Sequence, residues 1–204
     1  MADNKPPANP QEFHLNLDEL VHHTQLPQTR ISMAIDRIIN AIGEIVSWVW
    51  VILMLVIVLN VTLRYAFNLG LIVFEEIQWH IYSVGFLVAL SHCLVHDDHV
   101  RVDVLHDRMP LKLQCWIELF GLLIFLLPFA VLVTWYALPF VANSFDMHEV
   151  SDAPGGLPYR WLIKAVLPIG FTLLWIAALS RLLRCIALLF GWPKPIAVAD
   201  PAVH

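Results

Sequence analysis

The chain has 204 residues, of which 59% are hydrophobic and only 14% are charged, with a mean hydropathy of +0.70. Soluble domains contain about 25% charged residues, so this composition excludes a soluble globular protein, a disordered chain and a disulfide-rich secreted module. The formal net charge is −5 and the sequence has no basic patch, which excludes a nucleic-acid-binding protein. The composition is that of a small integral membrane protein.

Residues 1–29 are polar and contain four prolines, which predicts a loosely ordered N-terminal tail. No basic stretch leads directly into an apolar one, so the sequence predicts no cleaved signal peptide. Residues 30–44 have helical periodicity, with Asp36 off the apolar face. This pattern is typical of an amphipathic helix that lies in the membrane interface. The apolar face of this helix consists of Ile31, Ile35, Ile38 and Ile42.

Four long apolar segments follow the amphipathic one. The shortest have 19 residues, which reach about 28 Å as a helix, close to the ~30 Å hydrocarbon core of a bilayer. Backbone groups in lipid must be satisfied within the segment, so each segment predicts a transmembrane helix, with kinks at Pro128 and Pro168. The predicted spans are residues 45–63, 77–95, 113–138 and 161–188.

The fold class that follows is an all-α integral membrane protein with four transmembrane helices and an N-terminal interfacial helix. We predict a membrane domain over residues 30–190 and a short C-terminal tail over residues 191–204. An even number of spans places the N-terminal segment, the second loop and the C-terminal end together. That side carries nine Lys and Arg residues against three on the other, so we predict that both termini are cytoplasmic.

The three cysteines lie near the predicted cytoplasmic ends, where thiols stay reduced. Each of Cys93, Cys115 and Cys185 is predicted to be a free thiol that faces lipid. Two ionisable residues inside the spans, Glu118 and Lys164, lie within about two turns of helix ends and are expected to snorkel towards water. The spans thus have no predicted polar track, which favours an accessory subunit over a self-sufficient transporter.

Histidines are the first candidates for bound metal or haem. Among the spans only the second has any, His80 and His92, so no facing histidine offers a second haem ligand. His92 and His96 are spaced for a metal pair, and His99 follows them. No closed ligand set has a familiar spacing, so we interpret the region as a polar loop and expect no metal and no cofactor.

A second group of candidates lies between the first two spans. Arg64 and Tyr65 are followed by Asn68 and then by the adjacent acids Glu75 and Glu76. An interfacial turn with an aromatic belt explains much of this segment. The sharper hypothesis is an ion pair, because two adjacent acids at a membrane boundary are costly without a basic partner, either Arg64 or a group on another subunit.

These motifs, in this order and spacing, resemble the small membrane subunit of tripartite ATP-independent periplasmic (TRAP) transporters, the DctQ-like family. The resemblance covers about residues 40–190. The resemblance rests on four motifs: Arg64-Tyr65-x-Phe67-Asn68, Glu75-Glu76, His99-Val100-x-Val102-Asp103 and Met109-Pro110. The candidate interface or motif residues are therefore Arg64, Tyr65, Asn68, Glu75, Glu76, His99 and Asp103. Family members often have arginine just after the second span, where this chain has residues 91–96, Ser-His-Cys-Leu-Val-His.

The resemblance implies a scaffold in the bacterial inner membrane that is not an enzyme and has no catalytic residues. It implies pairing with a large membrane subunit, delivery of an organic acid by a periplasmic solute-binding protein, and uptake driven by a sodium gradient. The loop before the fourth span, with Asp146, His148, Glu149 and Asp152, is either a solvated loop or part of the docking surface for that binding protein. The alternative function is a haem- or quinone-linked membrane anchor of a redox enzyme.

Overall fold

The computed structural model describes residues 26–96 and 109–193. Within them, four helices are long and apolar enough to cross a membrane, which confirms the predicted all-α membrane fold. The third crossing contains a π-helical segment between two α-helices. The elements are α1 (Arg30–Ala66), α2 (Ile72–His96), α3 (Leu111–Phe120), the π-helical segment (Gly121–Leu126), α4 (Leu127–Asp146) and α5 (Trp161–Phe190).

Helix α1 joins the predicted interfacial segment and the first span without a break. Its 37 residues extend about 55 Å, much longer than the ~30 Å core of a bilayer. The helix begins with a capping box, in which the Ser32 amide donates to the Thr29 hydroxyl and the Thr29 amide donates to Ser32 Oγ. Just before this cap, Leu26 is buried against Cys115 and Cys185, so the end of the predicted tail packs on the bundle.

The inward face of α1 includes polar residues in its first three turns. Ser32, Asp36 and Ile39 are buried there, whereas Ile31 and Ile38 are 57% and 60% exposed. Periodicity locates an apolar stripe but does not say whether that stripe meets protein or lipid. Here much of the stripe faces outward, because lipid tails accommodate isoleucine as well as a protein core does.

Helix α5 is the centre of the bundle and packs against every other helical element of the described residues. In the most apolar stretch of α5, 28% of the residues are buried inside the protein, whereas in that of α1 only 6% are. Close packing depends on small residues: a Cβ on Gly170 would lie 2.7 Å from the Leu87 Cβ, and one on Gly43 would overlap the His92 ring. The main core cluster consists of Ile39, Leu94, Val95, Leu122, Leu127, Leu174, Ala177 and Ala178.

The third crossing is irregular where the sequence predicts a kink. Pro128 has no amide hydrogen, and in a regular α-helix its ring would meet the Ile124 carbonyl. Ile124 lies inside the π-helical segment, whose wider turn changes the position of that carbonyl. The Leu127 amide accordingly donates to the Leu122 carbonyl, five residues back. The helix then continues to Asp146, eight residues beyond the predicted end of the span.

Candidate functional site

One end of the bundle gathers most of the motif residues within the described part of the chain. Helix α1 ends there, α2 begins there, and residues 147–160 join α4 to α5. We call this region the loop end. Within residues 60–76 and 143–164 it carries five carboxylates and three basic side chains. They are Glu75, Glu76, Asp146, Glu149 and Asp152, and Arg64, Arg160 and Lys164.

Arg64 and Glu75 form the ion pair that the motif suggested. The Arg64 Nη1 donates to Glu75 Oε1 over 3.1 Å, with side chains 59% and 50% exposed. Tyr65 beside it is 79% exposed. Asn68 has a left-handed backbone with φ 54°, which asparagine tolerates better than most residues, so it allows the turn between α1 and α2. His99 and Asp103, the other motif candidates, lie outside the described residues.

Glu76, unlike Glu75, holds the loop between α4 and α5. Its Oε1 accepts from the Ser151 hydroxyl, and its Oε2 accepts from the Leu157 amide over 2.6 Å. The Ser151 amide also donates to the Leu157 carbonyl over 3.1 Å, which closes the base of the turn. A Cβ on Gly156 would lie 2.5 Å from Ser151 Cβ and 2.9 Å from Glu76 Oε1, so the arrangement requires glycine there. We call these contacts the Glu76 clamp.

Basic residues of α5 and its N-cap hold the same loop from the other side. The Lys164 ammonium donates to Glu149 and lies 4.1 Å from the centre of the Phe140 ring. The Arg160 Nε lies 3.9 Å from Glu149 Oε1, and the Arg160 Nη1 lies 3.6 Å from Asp152 Oδ2. The hydrogen bond from Lys164 holds the pKa of the Glu149 carboxyl below its usual range. Lys164 does reach towards its helix end, but it binds a carboxylate there and is only 16% exposed.

The loop end also exposes large apolar side chains among its charges. Tyr65, Met147, Val150 and Tyr159 are between 58% and 80% exposed. Tyr159 additionally has φ 64°, an uncommon backbone conformation for a bulky residue. All the left-handed non-glycine residues of the described chain lie at this end. The loop between α4 and α5 thus combines exposed apolar side chains with the fixed contacts that Glu76, Lys164 and Arg160 make.

The opposite end of the bundle contains buried ion pairs, which we call the charge cluster: Asp36, Glu118, Arg181 and Arg184. Asp36 accepts from Arg184 and, over 2.6 Å, from the Ser180 hydroxyl. Glu118 accepts from Arg181. All four side chains are between 4% and 14% exposed. The cluster therefore links α1 and α3 to α5 with equal numbers of positive and negative groups.

The charge cluster corrects two expectations from the sequence. Glu118 does not snorkel but turns inward to Arg181, and the spans are not free of buried polar groups. A signal for the cluster was present, because Arg181 and Arg184 are three residues apart and so lie on neighbouring parts of one helix face. Their acidic partners are distant in sequence, so local spacing did not identify them.

The predicted lipid-facing cysteines are the third correction. Cys115 and Cys185 are both fully buried and contact each other between α3 and α5, next to Leu119. Cys93 is partly buried. All three are free thiols, as predicted. Cysteine packs as a small hydrophobe, so it suits a tight contact between two helices near the charge cluster.

His92 and His96 of α2 contact each other and do not belong to a closed ligand set. The His92 and His96 ring centres are 4.4 Å apart, and His96 Nε2 lies 3.0 Å from Asn40 Oδ1. Over residues 26–96 and 109–193, no three His, Cys, Asp or Glu side chains come together as metal ligands. His99 is outside these ranges, so the absence of a metal stays a prediction.

Fold and site together define a small polytopic membrane protein, in which polar groups tie helices at one end and a loop at the other. Residues 53–188 match the family of the DctQ component of tripartite ATP-independent periplasmic transporters. The chain belongs to this family, which confirms the resemblance seen in its motifs. The family is one of transporter components, not of enzymes. No curated protein matched the chain.

Proposed function

We propose that this chain is the small permease subunit that pairs with the large membrane subunit of a TRAP transporter in a bacterial inner membrane. In this proposal, the large subunit moves an organic acid that a periplasmic solute-binding protein delivers, and a sodium gradient drives the uptake. The observation that carries the proposal is the match of residues 53–188 to the DctQ component.

The interior of the bundle supports a scaffold role. Its main core cluster is aliphatic, and the buried polar residues of the described chain that lie outside the charge cluster are uncharged, among them Asn60, Ser91 and Ser144. The buried acids of the charge cluster are held by arginines of α5, and they lie at one end of the bundle. A polar path through the middle would be expected if this subunit carried substrate itself. An apolar core with ion-paired ends suits a subunit that supports a separate conducting partner.

The proposed orientation has both termini in the cytoplasm and the loop end in the periplasm. The basic side chains support it, since the loop-end side has three and the other side nine. Labelling of single introduced cysteines tests it directly. A cysteine at Asp152, which is fully exposed, should react with an impermeant maleimide added outside intact cells. Labelling only after cell rupture would reverse the orientation.

The decisive experiment is affinity purification of the tagged chain from its native membrane in mild detergent, followed by mass spectrometry. We expect a stoichiometric multi-span partner. Recovery of the chain alone would contradict the proposal, and recovery with a redox enzyme and a Soret absorption band would favour the membrane-anchor alternative. Liposomes that contain both membrane subunits should take up the organic acid only with the binding protein and a sodium gradient.

A further inference from the structure

The Glu76 clamp attaches the loop between α4 and α5 to a further helix, α2, in addition to the contacts that Lys164 and Arg160 make with it. Residues 151–157 form a compact turn, closed at its base by the Ser151 and Leu157 backbones. Both oxygens of one carboxylate, from a different helix, bind the two sides of that base. A carboxylate that accepts two hydrogen bonds in this way limits the conformations of the loop more than one surface ion pair does.

The clamped loop exposes apolar side chains between charged ones. Met147, Val150 and Tyr159 are exposed, yet Asp146, Glu149, Asp152 and Arg160 alternate with them along the chain. This alternation places them at the water boundary rather than in the hydrocarbon core. Exposed apolar side chains grouped at an aqueous surface and ringed by charges are typical of a protein–protein interface.

Charge indicates the kind of partner. Each basic group of the loop end is already paired: Arg64 with Glu75, and Arg160 and Lys164 with loop carboxylates. Two carboxylates are therefore in excess, and the surface is acidic. A soluble protein with a basic surface around an apolar centre would complement it.

We propose that Glu76 is a positioning residue, which holds residues 147–160 in the conformation that docks the basic surface of the solute-binding protein. The inference rests on the proposed function and on the periplasmic position of the loop end. Its physical reason is preorganisation: a free loop would lose conformational entropy on docking, whereas the clamped loop has lost it already. Glu76 then acts on affinity without contacting the binding protein.

The test measures the Kd of the binding protein for the complete complex of both membrane subunits in nanodiscs. Glu76→Gln should weaken binding by about tenfold, since it removes a charged acceptor from two hydrogen bonds. Glu44→Gln is the matched control, because Glu44 is an exposed carboxylate in the half of α1 that is far from the loop end. This variant should leave the Kd unchanged. Ser151→Ala should weaken binding by about threefold, with Ser47→Ala as its control.

Hydrogen exchange at the Leu157 amide separates positioning from general destabilisation. In the Glu76→Gln complex, this amide should lose protection without the binding protein and regain it when the binding protein saturates the complex. Protection lost throughout both subunits would overturn a positioning role. If the Glu76→Gln chain does not assemble with the large subunit, the Ser151→Ala variant tests the positioning role instead. The same two quantities are then measured, the Kd of the binding protein and hydrogen exchange at the Leu157 amide.

The outcomes distinguish this inference from the proposed function. Wild-type Kd values for Glu76→Gln and Ser151→Ala would overturn the inference and leave the proposed function intact. Failure of the wild-type chain to purify with a large subunit would overturn the proposed function itself. A wild-type complex that assembles but does not bind the binding protein would overturn the docking surface while keeping the subunit pairing.

Discussion

The loop end and the charge cluster use the same chemistry in different surroundings. Ion pairs of the cluster involve side chains that are 4–14% exposed, whereas the Arg64–Glu75 pair is 59% and 50% exposed. Buried charges interact through a lower effective dielectric and are costly when one partner is removed. Exposed pairs are weak and replaceable. The cluster therefore fixes how helices meet, and the loop end shapes a surface that still meets water.

The largest expected effect comes from leaving a buried arginine without its acid. Asp36→Asn should destabilise the protein by about 3–5 kcal/mol, because Arg184 would stay buried without a compensating charge. Thermal unfolding in mild detergent measures the loss. The double variant Asp36→Leu with Arg184→Met should recover much of it. If Asp36→Asn unfolds like the wild type, the buried pair does not hold α1 to α5.

A smaller effect is expected when the loop end is disturbed without removing a charge. Gly156→Ala places a methyl group against Ser151 and Glu76, and overpacking of this kind costs about 1–3 kcal/mol. The damage should stay in the loop, seen as faster hydrogen exchange over residues 151–157 with unchanged pairing to the proposed large subunit. Loss of that pairing would mean that the loop end also holds the partner.

Substitution of the adjacent acids Glu75 and Glu76 should have different effects on stability. Glu75→Gln breaks only an exposed ion pair and should cost at most about 1 kcal/mol in thermal unfolding. Glu76→Gln should lower the stability more, because it loosens the loop. The charged Glu76 carboxylate accepts two hydrogen bonds from residues distant in the sequence, and the variant weakens both. Equal effects of the two variants on unfolding would show that the clamp gives no more stability than a surface pair.

The smallest effect concerns pH. Lys164 lowers the pKa of Glu149 in the folded protein, so folding favours the ionised carboxylate. This contribution is fully present above the ordinary pKa of 4.5 and is lost as pH falls through the lower folded value. The unfolding temperature should decline in that acidic range, and less steeply in Glu149→Gln. Parallel pH profiles of the two proteins would remove Glu149 as a contributor.

Hydropathy alone located the four spans, with start and end points displaced by a few residues except where α1 and α4 continue further. The Arg64–Glu75 pair could also be predicted, because the two residues are only 11 positions apart across one turn. The partners of Glu76 and Asp36 could not, since they lie 75 to 148 residues away. In a membrane, apolar residues face outward as readily as inward, so the pattern of α1 did not reveal that Asp36 is buried.

The order of the charge cluster along the chain has a consequence for biosynthesis. Asp36 and Glu118 are made 148 and 63 residues before the arginines that neutralise them, and both arginines belong to the last helix. Until α5 enters the membrane, Asp36 and Glu118 lack the arginine partners that they have in the folded chain. Insertion of the final helix is thus the step that closes the bundle. A nascent chain stopped before α5 should be recognised as unfinished by the quality-control proteases of the membrane.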